Sequence, residues 1–203
     1  MRGTRPQHIG FIPDGNRRWA DRRGLRREQG YAHGIEPGIQ LLKLCKQTGI
    51  PEISIFGFTK DNVRRSVVQR RAFSRACVEF ARKAISAGAA VNIVGDTNSK
   101  VFPAELRDLP RRKGKRLRVN LLVNYDWRWD LEGLKEGAIR SAGVPNIDLV
   151  VRWGGRFRLS GFLPVQSVYA DFFSIEDYWP DFRPEHFTRA LAWFKRQDRT
   201  LGG

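Results

Sequence analysis

The sequence predicts a single α/β domain, residues 1–203, with a mostly parallel central sheet flanked by helices. Short apolar runs recur at Ile9 to Ile12, Ile53 to Phe58, Val91 to Val94, Val119 to Tyr125 and Leu149 to Val151. Segments with helical spacing lie between several of these runs, the alternation that builds a parallel sheet. No Pro/Gly/Ser linker or internal repeat divides the 203 residues, a length suited to one domain with a sizeable core.

The first strand is His8-Ile9-Gly10-Phe11-Ile12, apolar enough to be buried on both faces. Pro13-Asp14-Gly15-Asn16-Arg17-Arg18-Trp19 follows, where a helix begins. A carboxylate, a glycine, a carboxamide and two guanidiniums at such a junction suit a diphosphate and its metal. Gly15 lets the backbone approach an oxyanion, and helix-start amides favour anions. Asp14, the one anion of this cationic loop, suits a hard divalent cation shared with substrate phosphates.

A helix over Ile35 to Thr48 carries Ile35, Ile39, Leu42 and Cys45 on one face and stops at Gly49-Ile50-Pro51. Pro37 is tolerated in its first turn. A second long helix runs from Val67 to Gly88, with Val68, Ala72, Ala76 and Phe80 on one side. Phe162, Val165, Tyr169 and Phe172 also recur at helical spacing, which reads as core. Ligands of open parallel sheets gather at the carboxyl ends of strands, so one pocket can reach Asp14, Thr59 and Arg152. Asn62 and Arg65, three apart, share a face if the chain is helical there, and an arginine fork binds two oxygens at once. Gly154-Gly155, flanked by Arg152 and Arg158 with Ser160 next, offers open amides and two more guanidiniums.

Composition bounds the partners. Lys plus Arg number 37 and Asp plus Glu 21, a net charge of +16 that attracts polyanions or anionic membrane surfaces. The clusters Arg22-Arg23, Arg26-Arg27, Arg70-Arg71, Arg111-Arg112-Lys113 and Lys115-Arg116 could track phosphates, and peripheral membrane contact is consistent with them. No zinc-finger, RNA-recognition or helix-turn-helix pattern accompanies them, which disfavours nucleic acid and leaves most as solvated faces. Cys45 and Cys77 imply no disulfide framework, and His8, His33 and His186 lack zinc-ligand spacing. With no run of 18 apolar residues and no signal-peptide pattern at Met1-Arg2-Gly3-Thr4, the expectation is a cytoplasmic protein.

The Ile12 to Trp19 segment resembles the signature of the cis-prenyltransferases, the undecaprenyl diphosphate synthase family. Further matches follow in order: Gly24 to Gly34 with Arg27; Phe58 to Arg65; Asn92 to Asp96; Val151 to Leu163; and Trp179-Pro180-Asp181-Phe182. The resemblance implies a cis-prenyltransferase-like fold and a homodimer. It also implies Mg²⁺-dependent joining of an allylic diphosphate to isopentenyl diphosphate by ionisation of the allylic ester, attack by the alkene and loss of a proton. Asp14 would hold Mg²⁺, with Asp171 at the position of a metal-associated glutamate one helix after Ser160. Gly15, Arg17, Arg18, Trp19, Arg27, Tyr31, Thr59 and Arg65 would bind the allylic substrate, and Arg152, Arg158 and Ser160 the isopentenyl one. Asn16 and Asn62 would orient the proton-loss step. The family's tunnel for the growing chain would be lined by the helix carrying Phe73, Cys77 and Phe80, whose rings imply a short product, on the order of ten to twenty carbons.

Several positions depart from the family pattern. Tyr31 stands at a usual histidine, Val63 at a tryptophan, Gln69 and Arg156 at glutamates, and Trp153 at a small hydroxyl residue. Arg156 would add positive charge beside the metal. The span Asp130 to Asp148 is short, and Thr200 stands where the tail carries an arginine. Three alternatives stay open: an irregular, lavandulyl-type coupling of two dimethylallyl diphosphates, which Tyr31, Arg17-Arg18 and Pro164 resemble; a non-catalytic partner subunit; and a nucleic-acid-binding protein.

Overall fold

The computed structural model describes residues 5–109 and 117–197. Six strands form one sheet: β1 His8–Ile12, β2 Glu52–Phe56, β3 Ala90–Val94, β4 Arg118–Leu122, β5 Leu149–Trp153 and β6 Asp171–Ile175. Their order is β3-β4-β2-β1-β5-β6, and every pairing is parallel. The sheet is thus wholly parallel where the sequence predicts mostly parallel. Five strands match the apolar runs to within a few residues.

β6 is the exception. The spacing of Phe162, Val165, Tyr169 and Phe172 predicts a helix, but 161–170 is a series of turns, with Phe162 buried and Val165 and Tyr169 exposed. Phe172 belongs to β6, an edge strand whose first four residues are only partly buried. A half-covered edge strand lacks the continuous apolar run of a central one, and its rings happened to fall at a helical interval.

Three helices cover one face: α3 (Ile35–Gln47), α4 (Val67–Ser86) and α6 (Pro184–Phe194). Their apolar stripes pack on Ile9 and Phe11 of β1, Ile53 and Ile55 of β2, Leu121 of β4 and Trp153 of β5. Trp153 is fully buried and meets Phe11, Trp179 and Phe182 edge-on or tilted, with Nε1 donating to Nδ1 of His186 at 3.2 Å. The opposite face is closed by Tyr125, Val144, Ile147, Phe162 and Leu163 over Ile12, Leu122 and Val150. Next to this second cluster lies a buried polar network. His8 Nε2 bonds Ser54 Oγ at 2.8 Å, and Asn120 Nδ2 donates to Glu52 Oε1 at 2.8 Å, so these buried polar groups find partners.

Two short helices complete the site side of the sheet: α1 (Asn16–Arg22) and α2 (Gln29–His33). Gly30 of α2 lets them meet, since a Cβ there would lie 2.1 Å from the Asn16 carbonyl oxygen. Gly143, by contrast, faces open space. Gly30→Ala is therefore expected to lower stability by about 1–3 kcal/mol through overpacking while Gly143→Ala stays within roughly 0.5 kcal/mol, as measured by urea denaturation.

Candidate active site

In a parallel sheet the strand ends open a crevice where neighbouring strands lead their chains to opposite sides. β1 continues toward β2 on one side and pairs with β5 on the other, so the ends of β1 and β5 flank such a crevice. Asp14, just past β1, and Arg152, near the end of β5, meet across it. Arg152 Nη2 donates to Asp14 Oδ2 at 2.7 Å, and Arg18 Nη2 stands 3.4 Å from the same oxygen. Arg152 is only 4% exposed and Asp14 33%. The other Arg152 terminal nitrogen donates to Ser160 Oγ at 2.9 Å and to the Arg158 carbonyl.

A polar pocket of about 420 Å³ surrounds this pair. Asp14, Gly15, Asn16, Arg17, Arg18, Arg27, Tyr31, Thr59, Asn62, Arg65, Arg152 and Ser160 all line it. Each has a local reason to be there. Gly15 takes φ 101°, a conformation side chains disfavour, and its N–H donates to Asp14 Oδ1 at 2.6 Å. It turns the chain into α1, whose first-turn N–H groups have no intrahelical acceptor. Arg27 is held by Asp21 at 3.0 Å. The segment after β2 is tied to the sheet through Lys60, whose N–H donates to the Tyr125 carbonyl at 3.0 Å and whose ammonium pairs with Asp96 at 2.9 Å. A 3₁₀ turn, Lys60–Arg64, then sets Asn62 and Arg65 at the pocket wall.

Tyr31 sits on the pocket wall beside Arg65. Its hydroxyl oxygen accepts from Arg65 Nη1 at 2.9 Å, and its ring stacks on Phe73 with centroids 4.6 Å apart and planes within 4°. Burial holds the Tyr31 phenol above its ordinary pKa, with the charges of Arg65 and Arg17 pulling the other way. Below this stack lies a narrow apolar cavity of about 70 Å³ between the sheet and helices α3 and α4. It is walled by Phe11, Ile55 and Leu121 of the sheet and by Leu41, Ala76, Cys77 and Phe80 of the helices. Pro13, Asn16, Tyr31, Phe56, Gly57 and Phe73 line both spaces, so the polar pocket opens onto the apolar one.

Four expectations need correction. Trp19 is buried below the surface of α1 and outside the pocket wall; its Nε1 donates to Asp181 Oδ1 at 2.8 Å and its ring meets His33. Arg158 is exposed and also outside the wall, contributing its carbonyl to Arg152 instead of its guanidinium. Arg156 is likewise exposed and away from the wall, so it adds no charge beside Asp14. Asp171 begins β6, three residues before Ser174, which is in register with Arg152. At about 3.3 Å per residue that is roughly 10 Å from the Asp14 end of the sheet, so the two carboxylates do not share a site within one chain. In the other direction, the sequence reading passed over Asp61, Phe56 and Gly57, all of which line the pocket. Asp61 lies inside a quoted motif, and the strand-end rule applied to β2 would have reached the other two.

Among the described residues no three His, Cys, Asp or Glu side chains cluster for a metal. Asp14, in a pocket dominated by cations whose other acids are Asp21 and Asp61, still fits Mg²⁺, which is commonly held by one or two carboxylates with the remaining ligands from substrate phosphates and water. Burial raises the Asp14 pKa, but the Arg152 hydrogen bond and the charges of Arg152 and Arg18 outweigh it, and the net shift is downward. The carboxylate is thus ionised across the neutral range. Replacing Arg152 by Met should leave burial with less opposition, so the Asp14 titration, followed by ¹³C NMR of its carboxyl carbon, is expected to move upward.

The family model described as "Putative undecaprenyl diphosphate synthase" matches residues 12–142 and 132–202. A farnesyl-diphosphate-specific ditrans,polycis-undecaprenyl-diphosphate synthase of Legionella pneumophila is 29% identical, over 97% of this chain and 95% of its own. A geranylgeranyl-diphosphate-specific tritrans,polycis-undecaprenyl-diphosphate synthase of Aeropyrum pernix is 32% identical, over 97% and 98%. The fold matches the crystal structure of lavandulyl diphosphate synthase from Lavandula x intermedia in complex with dimethylallyl diphosphate. The TM-score there is 0.85 at 23% identity, covering 98% of this chain and 99% of that one.

Proposed function

The chain belongs to the undecaprenyl diphosphate synthase family of cis-prenyltransferases, and we propose that it condenses an allylic diphosphate with isopentenyl diphosphate in cis geometry to a short product. The observation that carries this reading is the junction of a cationic pocket, built around the Asp14–Arg152 pair, with an apolar cavity lined by α4. A diphosphate ester of an isoprenoid has that same division between a polyanionic head and an apolar tail.

In this reading Arg17, Arg18, Arg27 and Arg65 take the allylic diphosphate, while Arg152 and Ser160 take the isopentenyl one. Asp14 would hold Mg²⁺, which when bound supplies charge neutralisation to the leaving diphosphate. The guanidiniums stabilise negative charge as the allylic C–O bond breaks and its electron pair leaves with the diphosphate. The alkene of isopentenyl diphosphate then bonds to the allylic carbon, and transfer of one proton from the resulting cation to the departed diphosphate restores a double bond. Asn16, whose Nδ2 donates to the Pro13 carbonyl at 3.0 Å, lines both spaces and is the group best placed to orient that proton.

Asp14 is not a bare surface ligand, because it is also the counter-ion of a buried guanidinium. Truncation to Ala would leave Arg152 unpaired and cost stability. Asp14→Asn keeps the shape but not the charge, so it also leaves Arg152 without its counter-ion; it is expected to lower turnover by roughly two orders of magnitude or more and to cost stability, with circular dichroism at the assay temperature checking that the variant stays folded. Chelation should abolish wild-type turnover and Mg²⁺ restore it. Full activity of the variant in chelator would remove the assignment. Assays with dimethylallyl, geranyl and farnesyl diphosphates, each with and without isopentenyl diphosphate, distinguish this reaction from coupling of two dimethylallyl units.

Product length follows from the cavity. Phe80 packs over Gly38, where a Cβ would lie 2.8 Å from its ring, and Phe73 stacks on Tyr31 at the mouth. Each added isoprene unit needs apolar wall in place of water, and these rings limit it. Phe80→Leu is expected to lengthen the dominant product by at least one isoprene unit, read by mass spectrometry after dephosphorylation. An unchanged product would place the limiting wall elsewhere.

A further inference from the structure

Helix α4 has two faces of opposite chemistry. Phe73, Ala76, Cys77 and Phe80 turn toward the apolar cavity. Arg71, Arg75 and Arg82 follow at steps of four and seven, which at 3.6 residues per turn places them within about 40° of one another on the far side. With Lys100 they border an open groove of about 560 Å³ in which Glu105 is the single acid. These four cations are exposed, and among the described residues they form no ion pair. Arg71 to Arg82 spans roughly 16 Å of helix. At the amino end of the same groove Val67 and Val68 are 50% and 58% exposed.

Unpaired surface cations beside exposed β-branched apolar residues are complementary to a surface that is anionic outside and apolar just beneath. We propose that the outer face of α4 docks the protein on an anionic lipid bilayer, with Arg71, Arg75, Arg82 and Lys100 on headgroup phosphates and Val67 and Val68 at the acyl boundary. Single-stranded nucleic acid would call for aromatic platforms, and the ring in this wall, Phe58, is 1% exposed. The purpose of docking rests on the proposed reaction: a product whose tail occupies the cavity on the inner side of α4 is an amphiphile that has to leave for a membrane.

Flotation of the full chain without substrate tests it. The probes are vesicles of phosphatidylcholine alone and of phosphatidylcholine with about one-third phosphatidylglycerol. Wild type should float with the anionic vesicles and fall away as salt rises. The triple variant Arg71→Gln, Arg75→Gln, Arg82→Gln should bind them on the order of a hundredfold more weakly, roughly fivefold per charge. Val67→Ser with Val68→Ser should weaken binding and leave its salt dependence. Turnover of short substrates without vesicles should be unchanged in the triple variant, with circular dichroism reporting its fold. Equal flotation of wild type and triple variant overturns the proposal, as does equal binding to both vesicle types. Binding of a single-stranded oligonucleotide that the triple variant loses, with no vesicle binding, would reassign the groove. Because flotation uses no substrate, failure of the proposed reaction and failure of docking are read separately.

Discussion

The site depends on one buried guanidinium. Arg152 lies near the end of a central strand, and its charge is tolerable there only because Asp14 supplies a carboxylate across the crevice. The same side chain reaches Ser160 and the Arg158 carbonyl, so it fastens the loop after β5 to the end of β1, 138 residues earlier. The electrostatic consequence is mutual. Asp14 is held ionised despite burial, and Arg18 is drawn to the same oxygen while donating to the Gly154 carbonyl at 3.0 Å. An incoming diphosphate would compete for guanidiniums already organised around a carboxylate, which keeps the pocket shaped before substrate arrives.

A second constraint is the separation of polar from apolar space. The cationic groups come from strand ends and short helices, whose backbone geometry turns them toward the crevice, whereas the cavity below is made by the faces of α3 and α4 against the sheet. The Tyr31–Phe73 stack marks the boundary. Its hydroxyl oxygen accepts from Arg65, so one residue contacts a cation on one side and an apolar ring on the other. A histidine at position 31 would replace this broad stack with a smaller ring that titrates near neutrality.

Much of the fold was legible in the chain itself. β1, β2, β4 and β5 are interior strands of a covered parallel sheet, and burial on both faces demands continuous apolar runs; β3, at the other edge, still buries Ala90, Val91 and Val94. The long helices showed their amphipathic stripes for a similar reason. β6 escaped because an edge strand is covered incompletely, and its phenylalanines joined a false helical pattern with Phe162 and Tyr169. Among pocket-lining residues, those a few positions past a strand, such as Asp14 and Thr59, were readable from residue type and strand-end position. The basic runs Arg111-Arg112-Lys113 and Lys115-Arg116 and the tail from Arg199 lie outside the described residues.

Motif membership did not say which way a side chain points. Trp19 stands among pocket residues in sequence yet turns inward to Asp181, and Arg158 contributes a carbonyl where its guanidinium was expected. Asp171, expected one helix after Ser160 as a metal-associated carboxylate, instead begins β6 at the opposite end of the sheet from Asp14. The sequence by itself determined the sheet class, the family and the chemistry of the strand-end loops, because local apolar period and residue type carry that information. Only the tertiary structure decided which guanidiniums face the crevice, what Tyr31 touches and where the second carboxylate lies. Those depend on register between segments far apart in the chain, and a one-residue change in strand register turns every side chain to the other face.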